Sequence, residues 1–224
     1  NCGATVALNG RNRKDLLFAK SLLPGSNCYL GDLSNEVKAK KIITKINHDL
    51  NGIDIIICNA GNSNSVPPGK ETLDEFKKMF DNNFFCAFNV INNAKQILSK
   101  SNGSIICISS ICGSEVIPKA PITYSVAKSA LNNYVKAISK PFGKLNIRIN
   151  AVAPGNILFD GSVWQKKIKK NKKQVEKFLK DEVPLNKFGE LDDISSLVLY
   201  LSSENAKFVT GAVWKIDGGQ TKIV

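Results

Sequence analysis

Tyr124 and Lys128 stand four residues apart in Tyr124-Ser125-Val126-Ala127-Lys128, near the start of a stretch with helical periodicity. Side chains at i and i+4 share one face of a helix. A free phenol titrates near pH ~10 and is a poor acid or base at neutrality. An ammonium one turn away favours the phenolate and lowers that pKa. A phenol tuned in this way passes a proton to or from a ketone or alcohol oxygen. Spacing alone is weak evidence, because four tyrosines among 28 lysines readily produce such a pair by chance. The surrounding elements have to decide.

Short apolar runs alternate with longer amphipathic ones along the whole chain. Residues 4–9 read as a strand, 13–22 as a helix, 27–30 as a short strand, and 36–50 as a helix with Ser34 as its N-cap. Residues 53–58 form a continuous apolar strand of the kind buried on both faces. Thr72-Leu73-Asp74-Glu75 is a capping box that opens a long helix reaching toward Leu98. Residues 104–109 are another buried strand. A helix runs from Tyr124 to about 140 and is stopped by Pro141. The strand at 147–152 ends in Ala153-Pro154-Gly155. A lysine-rich helical insert follows, then a helix at 194–201, and a strand at 212–216 closes with Asp217-Gly218-Gly219. Strand–helix alternation with buried strands implies one α/β domain over residues 1–224, a parallel sheet covered on both faces.

In such sheets ligands bind beyond the carboxyl ends of the strands. Asn59-Ala60-Gly61 follows the strand at 53–58, and Gly61 permits a tight turn and close approach of a ligand. Ser109 and Ser110 follow the next strand, fourteen residues before Tyr124 in the case of Ser110. That hydroxyl could serve the same oxygen as the phenol. Asn83 interrupts an apolar helix, where a buried polar group needs partners. Each of these alone also fits an ordinary turn, an ordinary strand-end serine or a tolerated helix asparagine.

Together, Asn59-Ala60-Gly61, Asn83, Ser110, Tyr124 with Lys128, Pro154-Gly155 and Asp217-Gly218-Gly219 fall in order at the ends of successive elements. That ordered set resembles the short-chain dehydrogenase/reductase family, and its overall pattern is closest to the 3-oxoacyl-carrier-protein reductases. The likeness extends from Ala4 to Gly219. It implies a Rossmann-type doubly wound sheet in three α/β/α layers, binding a nicotinamide dinucleotide. By the same resemblance Tyr124 is the general acid or base. Lys128 lowers its pKa and holds the nicotinamide ribose, which Tyr124 also contacts. Ser110 polarises the carbonyl, and Asn83 anchors a water relaying protons to Lys128. Asn59, Ala60, Gly61, Pro154 and Gly155 line the cofactor cleft. Asp32, with Leu33 beside it, matches the adenine contact. Ile157 lies where the family usually has a threonine that holds the cofactor amide.

NAD enzymes place an acid after the strand that here ends near Asn9, whereas an arginine suits the 2′-phosphate of NADP. The chain reads Leu8-Asn9-Gly10-Arg11-Asn12-Arg13, with no acid until Asp15, so the expected cofactor is NADP in preference to NAD. The family's Gly-rich phosphate turn and first strand are not found in these residues. With no initiator methionine at Asn1, a longer natural chain is expected. Residues 156 to about 184 correspond to a substrate lid, with Phe159, Val163, Trp164 and Phe178 as candidates for its apolar wall. The helices led by Thr72 and Tyr124 resemble those the family packs between subunits, implying a homodimer or homotetramer.

Composition narrows the partners. Net charge is +12, and eight lysines crowd residues 166–180. An acidic carrier protein or a phosphorylated sugar would suit that run, and a solvated helix face explains it equally well. Three arginines against 28 lysines argue against base-reading of nucleic acid. No apolar run approaches the ~20 residues of a membrane span. Six cysteines show no C-x-x-C pair, so neither a zinc site nor a disulfide framework is expected, and the setting is cytoplasmic and reducing. His48 reads as a surface residue. The alternatives to a 3-oxoacyl-type oxidoreductase are a sugar or polyol dehydrogenase of the same family and a non-catalytic dinucleotide-binding scaffold.

Overall fold

The computed structural model describes residues 3–223. Its strands are β1 (Ala7–Gly10), β2 (Asn27–Leu30), β3 (Ile55–Cys58), β4 (Ser104–Ile108), β5 (Arg148–Pro154) and β6 (Val213–Ile216). The main helices are α1 (Arg13–Leu22), α2 (Glu36–Leu50), α3 (Leu73–Phe80), α4 (Cys86–Leu98) and α5 (Ile122–Gly143). After β5 come α6 (Val163–Lys170), α7 (Lys172–Glu182) and α8 (Leu191–Ser202). Every strand pairing is parallel, as the alternation of elements requires. The sheet is in two pieces, β1-β2 and β3-β4-β5-β6, and among the described residues no strand pairs across from β1 to β3.

Two apolar cores hold the four-stranded piece. On one face Ile56, Ile105, Cys107, Ile149 and Ala151 meet Ile43 of α2, Val90 and Leu98 of α4, and Leu131 and Val135 of α5. On the other face Ile106 and Val152 pack against Leu201 of α8, with Ile108, Ile194 and Leu197 around them. This is the three-layer α/β/α arrangement expected from the sequence. Among the described residues no helix is long and apolar enough to cross a membrane.

Some local expectations need correction. The apolar run of β3 is not buried on both faces: Ile56 and Cys58 are covered, but Ile55 is 44% and Ile57 41% exposed. The reason is that α8 packs over β4 and β5, not over β3. An unbroken apolar run carries no record of which helix will cover it. Helix α2 is capped by Asn35, whose Oδ1 accepts the Lys38 N–H at 2.9 Å, while the Ser34 hydroxyl donates instead to Asp32 at 2.8 Å. Helix α5 runs through Pro141 to Gly143, the proline forfeiting one i→i−4 backbone bond close to the helix end without stopping it.

The helix led by Thr72 forms only half of the expected capping box: the threonine hydroxyl accepts the Glu75 N–H at 3.2 Å, while the Glu75 carboxylate takes the Ser65 hydroxyl and Lys78 instead. It reaches Leu98 through one π-helical turn, Asp81–Phe85, between α3 and α4. The lysine-rich insert is two helices, α6 capped by Ser162 and α7 by Asn171.

Candidate active site

Helix α5 presents Tyr124 and Lys128 one turn apart, beside the end of β4. Lys128 is buried at 4% exposure, and its Nζ donates to the Ile108 carbonyl at 2.8 Å. The ammonium lies 5.8 Å from the centre of the Tyr124 ring. Ser110 leads a short 3₁₀ turn (Ile111–Gly113) and accepts the Cys112 N–H at 3.2 Å. Gly113 makes this turn's approach to α5 possible, since a Cβ there would lie 2.6 Å from the carbonyl carbon of Lys128. One glycine therefore sets the distance between the serine and the tyrosine–lysine face.

Burial pushes the Tyr124 phenol up to about 12, with the Ser110 hydroxyl offsetting part of the rise and Cys112 adding to it. The sequence expectation that Lys128 depresses this pKa is thus corrected. The ammonium is spent on a backbone carbonyl and is itself lowered to about 8 by burial. At neutral pH the phenol is protonated, poised to give a proton rather than to take one.

Asn83 sits within the π-helical turn, 1% exposed. Such turns concentrate at functional sites because they redirect one side chain out of helical phase. Its Oδ1 accepts the Asn62 N–H at 3.2 Å, and its Nδ2 donates to the carbonyls of Asn62 and Met79, both at 3.0 Å. The clasp holds the turn after β3. A Cβ on Gly61 would come within 2.7 Å of Asn83 Oδ1 and 3.4 Å of Lys128 Nζ, so this glycine brings the two side chains to one point. The sequence-derived residues Asn83, Gly61, Ser110, Tyr124 and Lys128 thus share one cleft.

The remaining cofactor candidates are more spread. Asn59 and Ala60 are exposed in the turn that follows β3. Gly155 packs so closely on Asp217 that a Cβ would lie 2.7 Å from the aspartate's own, with Pro154 ending β5 just before it. Ile157 bridges to Gly189 and borders a small cavity of about 140 Å³ between the lid and β6.

Burial raises the Asp32 carboxyl, but the Ser34 N–H and hydroxyl, then Arg11 and Lys38, outweigh it and hold the pKa below its ordinary value. Leu33 packs on the main core. The Arg11 guanidinium donates to Asn82 Oδ1 at 2.7 Å, linking the end of β1 to the π-helical turn. Glycines without room for a Cβ, a buried ammonium and exposed turn residues at one strand end make a cradle that fits a nicotinamide ribose.

Sequence reasoning missed Asn89 and Phe188, and it named Asp217 without giving it a role. Asn89, buried in α4, donates to the carbonyls of Leu33 and Ser34 and fixes the loop after β2; a polar residue in an apolar helix was its signal. Asp217 accepts from Gly219 and Thr221 and closes the turn against Gly155. Phe188 meets Trp164 at 5.1 Å, and Trp164 stacks on Phe178 at 4.9 Å. Phe159 and Val163, expected in the lid wall, are about half exposed.

Known proteins share this arrangement. The family model described as enoyl-(acyl carrier protein) reductase matches residues 1–221. The 3-oxoacyl-[acyl-carrier-protein] reductase FabG of Rickettsia typhi is 30% identical over 223 residues, covering 99% of this chain and 88% of that protein. Glucose 1-dehydrogenase of Gluconobacter oxydans is 28% identical over 98% of this chain and 83% of its own length. The solved structure of ElxO with NADP bound superposes with a TM-score of 0.87 at 28% identity, over 96% of this chain and 88% of that one. The chain belongs to the short-chain dehydrogenase/reductase family of NAD(P)-dependent oxidoreductases.

Proposed function

We propose that the protein is an NADP-dependent carbonyl reductase of 3-oxoacyl-thioester type. The observation that carries this reading is Tyr124 one helical turn from the buried Lys128 on α5, with Ser110 following the neighbouring strand β4. When bound, the nicotinamide supplies hydride to the carbonyl carbon. Tyr124 then delivers its proton to the carbonyl oxygen, and the Ser110 hydroxyl orients that oxygen by hydrogen bonding. Lys128, with Tyr124, holds the ribose hydroxyls. Asn83 keeps Gly61 against Lys128, and its Oδ1 borders the same glycine as Lys128 Nζ, which suits a water relaying protons between them.

Asn59, Ala60, Gly61, Pro154, Gly155 and Ile157 line the cofactor's nicotinamide half, with Asp32 and Leu33 at the adenine. Arg11 is assigned to the 2′-phosphate, because no acid stands between Leu8 and Lys14 and because ElxO was solved with NADP. The sugar-type alternative draws on the likeness to glucose 1-dehydrogenase. Leu73, Ile122 and Val126 leave apolar surface on α3 and α5. That surface supports a homodimer or homotetramer built on these helices. A cytoplasmic setting accords with the free thiols of Cys28, Cys58, Cys86, Cys107 and Cys112.

The test is NADPH oxidation against 3-oxoacyl thioesters, keto-sugars and simple ketones. Tyr124→Phe is expected to lower kcat by roughly 10²–10⁴-fold while NADPH binding persists. Near-normal turnover by that variant would refute the assigned proton donor.

A further inference from the structure

Thr123, the residue before Tyr124, is wholly buried, and its hydroxyl oxygen lies 2.6 Å from that of Ser65. Ser65 belongs to the loop between β3 and α3, and its Oγ donates to Glu75 Oε2 at 3.2 Å. A carboxylate only accepts, and a serine hydroxyl has one proton to give. With that proton directed at Glu75, the Thr123 hydroxyl donates to Ser65. The bonds therefore run from Thr123 to Ser65 to Glu75, and Lys78 Nζ holds the other carboxylate oxygen at 3.2 Å.

The first turn of α5 has little else of this kind. Pro121 stands at its cap and offers no side-chain acceptor to the first N–H groups. Ser125 Oγ donates to the Pro121 carbonyl at 3.0 Å, a bond confined to the helix's own start. Thr123 supplies a tie to another element, one residue from the phenol. The same loop is gripped again three residues earlier. There Asn83 Oδ1 accepts the Asn62 N–H, and Asn83 Nδ2 donates to the Asn62 carbonyl. The two grips hold the turn at Gly61 and the start of α5 in one frame.

We propose that Ser65 and Thr123, anchored by Glu75, are positioning residues for Tyr124, fixing the phenol against the turn after β3. The proposal rests on the reductase reading, in which Tyr124 gives its proton to the carbonyl oxygen. Ser65 and Thr123 act through the placement of the helix start, and a small misplacement of a proton donor slows the chemical step.

Two variants of Thr123 separate positioning from packing. Thr123→Val keeps the side-chain shape and loses the hydroxyl, whereas Thr123→Ser keeps the hydroxyl and leaves a methyl-sized void. In NADPH oxidation with the fastest carbonyl substrate of the panel above, Thr123→Val is expected to lower kcat about 10-fold with the substrate KM unchanged. Thr123→Ser should keep kcat near the parent value even as its Tm falls. Ser65→Ala, at a half-buried position, should match the valine variant in kcat and carries the same reading if that variant does not fold. Ser104→Ala removes another buried hydroxyl bond, to the Leu201 carbonyl at 3.1 Å, at the end of β4 remote from Ser110, and should leave kcat unchanged.

Tyrosinate absorbance across an alkaline titration, taken as the difference from Tyr124→Phe, reads the phenol without turnover. Burial holds that phenol at about 12, and loosening it toward water returns it toward its ordinary value. The curve should shift to lower pH in Thr123→Val and Ser65→Ala but not in Thr123→Ser. A parent-like kcat in both hydroxyl-free variants, an equal loss in Thr123→Ser, an effect on KM alone, or an unshifted titration overturns the proposal. If the parent reduces no carbonyl substrate, the reductase reading falls and the titration alone decides: a shift upholds the hold on the phenol, and its absence refutes it.

Discussion

The four-stranded and two-stranded pieces of the sheet are built to different standards. In β4 and β5, Ile105, Ile106, Ile149 and Val152 are wholly buried, with helices on both faces. In β1 all four residues are only half-buried, and β3, the edge that ends the four-stranded piece, leaves Ile55 and Ile57 open. The residues proposed for proton chemistry hang on the first region: Ser110 follows β4, and Lys128 bonds to the last residue of that strand. Under the proposed assignment, cofactor selection hangs on the second, through Arg11 and Asp32. The contrast teaches that the proposed proton donor is held by close packing, whereas the proposed adenosine end depends on loops and charges.

Core truncation should give the largest contrast. Ile105→Ala is expected to cost about 2–5 kcal/mol in denaturant unfolding. Ile57→Ala, on the uncovered face, should cost about 1 kcal/mol or less. Equal losses would erase the distinction between the buried central strands and the open edge at β3.

Lys128 is the next lever. The folded amine titrates near 8 against 10.5 when free, so below pH 8 both states are charged and the fold bears the whole desolvation cost. Between those values only the unfolded chain holds the proton, and stability rises with pH. Lys128→Met should therefore stabilise the protein at pH 7 by up to about 3 kcal/mol, while turnover collapses. That gain should shrink steadily toward pH 10. Comparison with the parent protein at each pH removes the opposing titration of buried thiols such as Cys86, raised to about 11. A pH-independent difference would mean that the amine keeps its ordinary pKa in the fold and bears no desolvation cost.

Arg11→Ala is the smallest and most selective change. It should lower kcat/KM for NADPH about 10-fold, the size of one lost charged hydrogen bond, and spare NADH. A parallel loss with both cofactors would assign Arg11 to its bond with Asn82 rather than to a 2′-phosphate.

Residues whose meaning lies in their order were legible in the chain. Gly61, Asn83, Ser110, Tyr124 and Lys128 announce themselves by type and position, and α1, β2 and α2 have the bounds their periodicity suggests. What depends on three-dimensional surroundings was not legible. The Tyr124 pKa follows from burial, which no i,i+4 rule contains, and so runs opposite to the expected direction. Exposure of Ile57 depends on where α8 lands, and Phe188 joins Trp164 from 24 residues away. Asn35 displaces Ser34 as a cap because Asp32 claims the serine hydroxyl.

The π-helical turn at Asp81–Phe85 carries a consequence for the whole helix beyond it. One residue is ~100° of rotation in an α-helix. Winding the same residues as regular α-helix, with no π turn, would swing everything after them by about that angle. Asn89 would turn away from the carbonyls of Leu33 and Ser34, and Val90, Ala94 and Leu98 away from the sheet. The wide turn is thus a phase correction. It lets one continuous helix aim Asn83 at the cleft and its apolar stripe at the core, two directions that uniform α-helical winding would not reconcile.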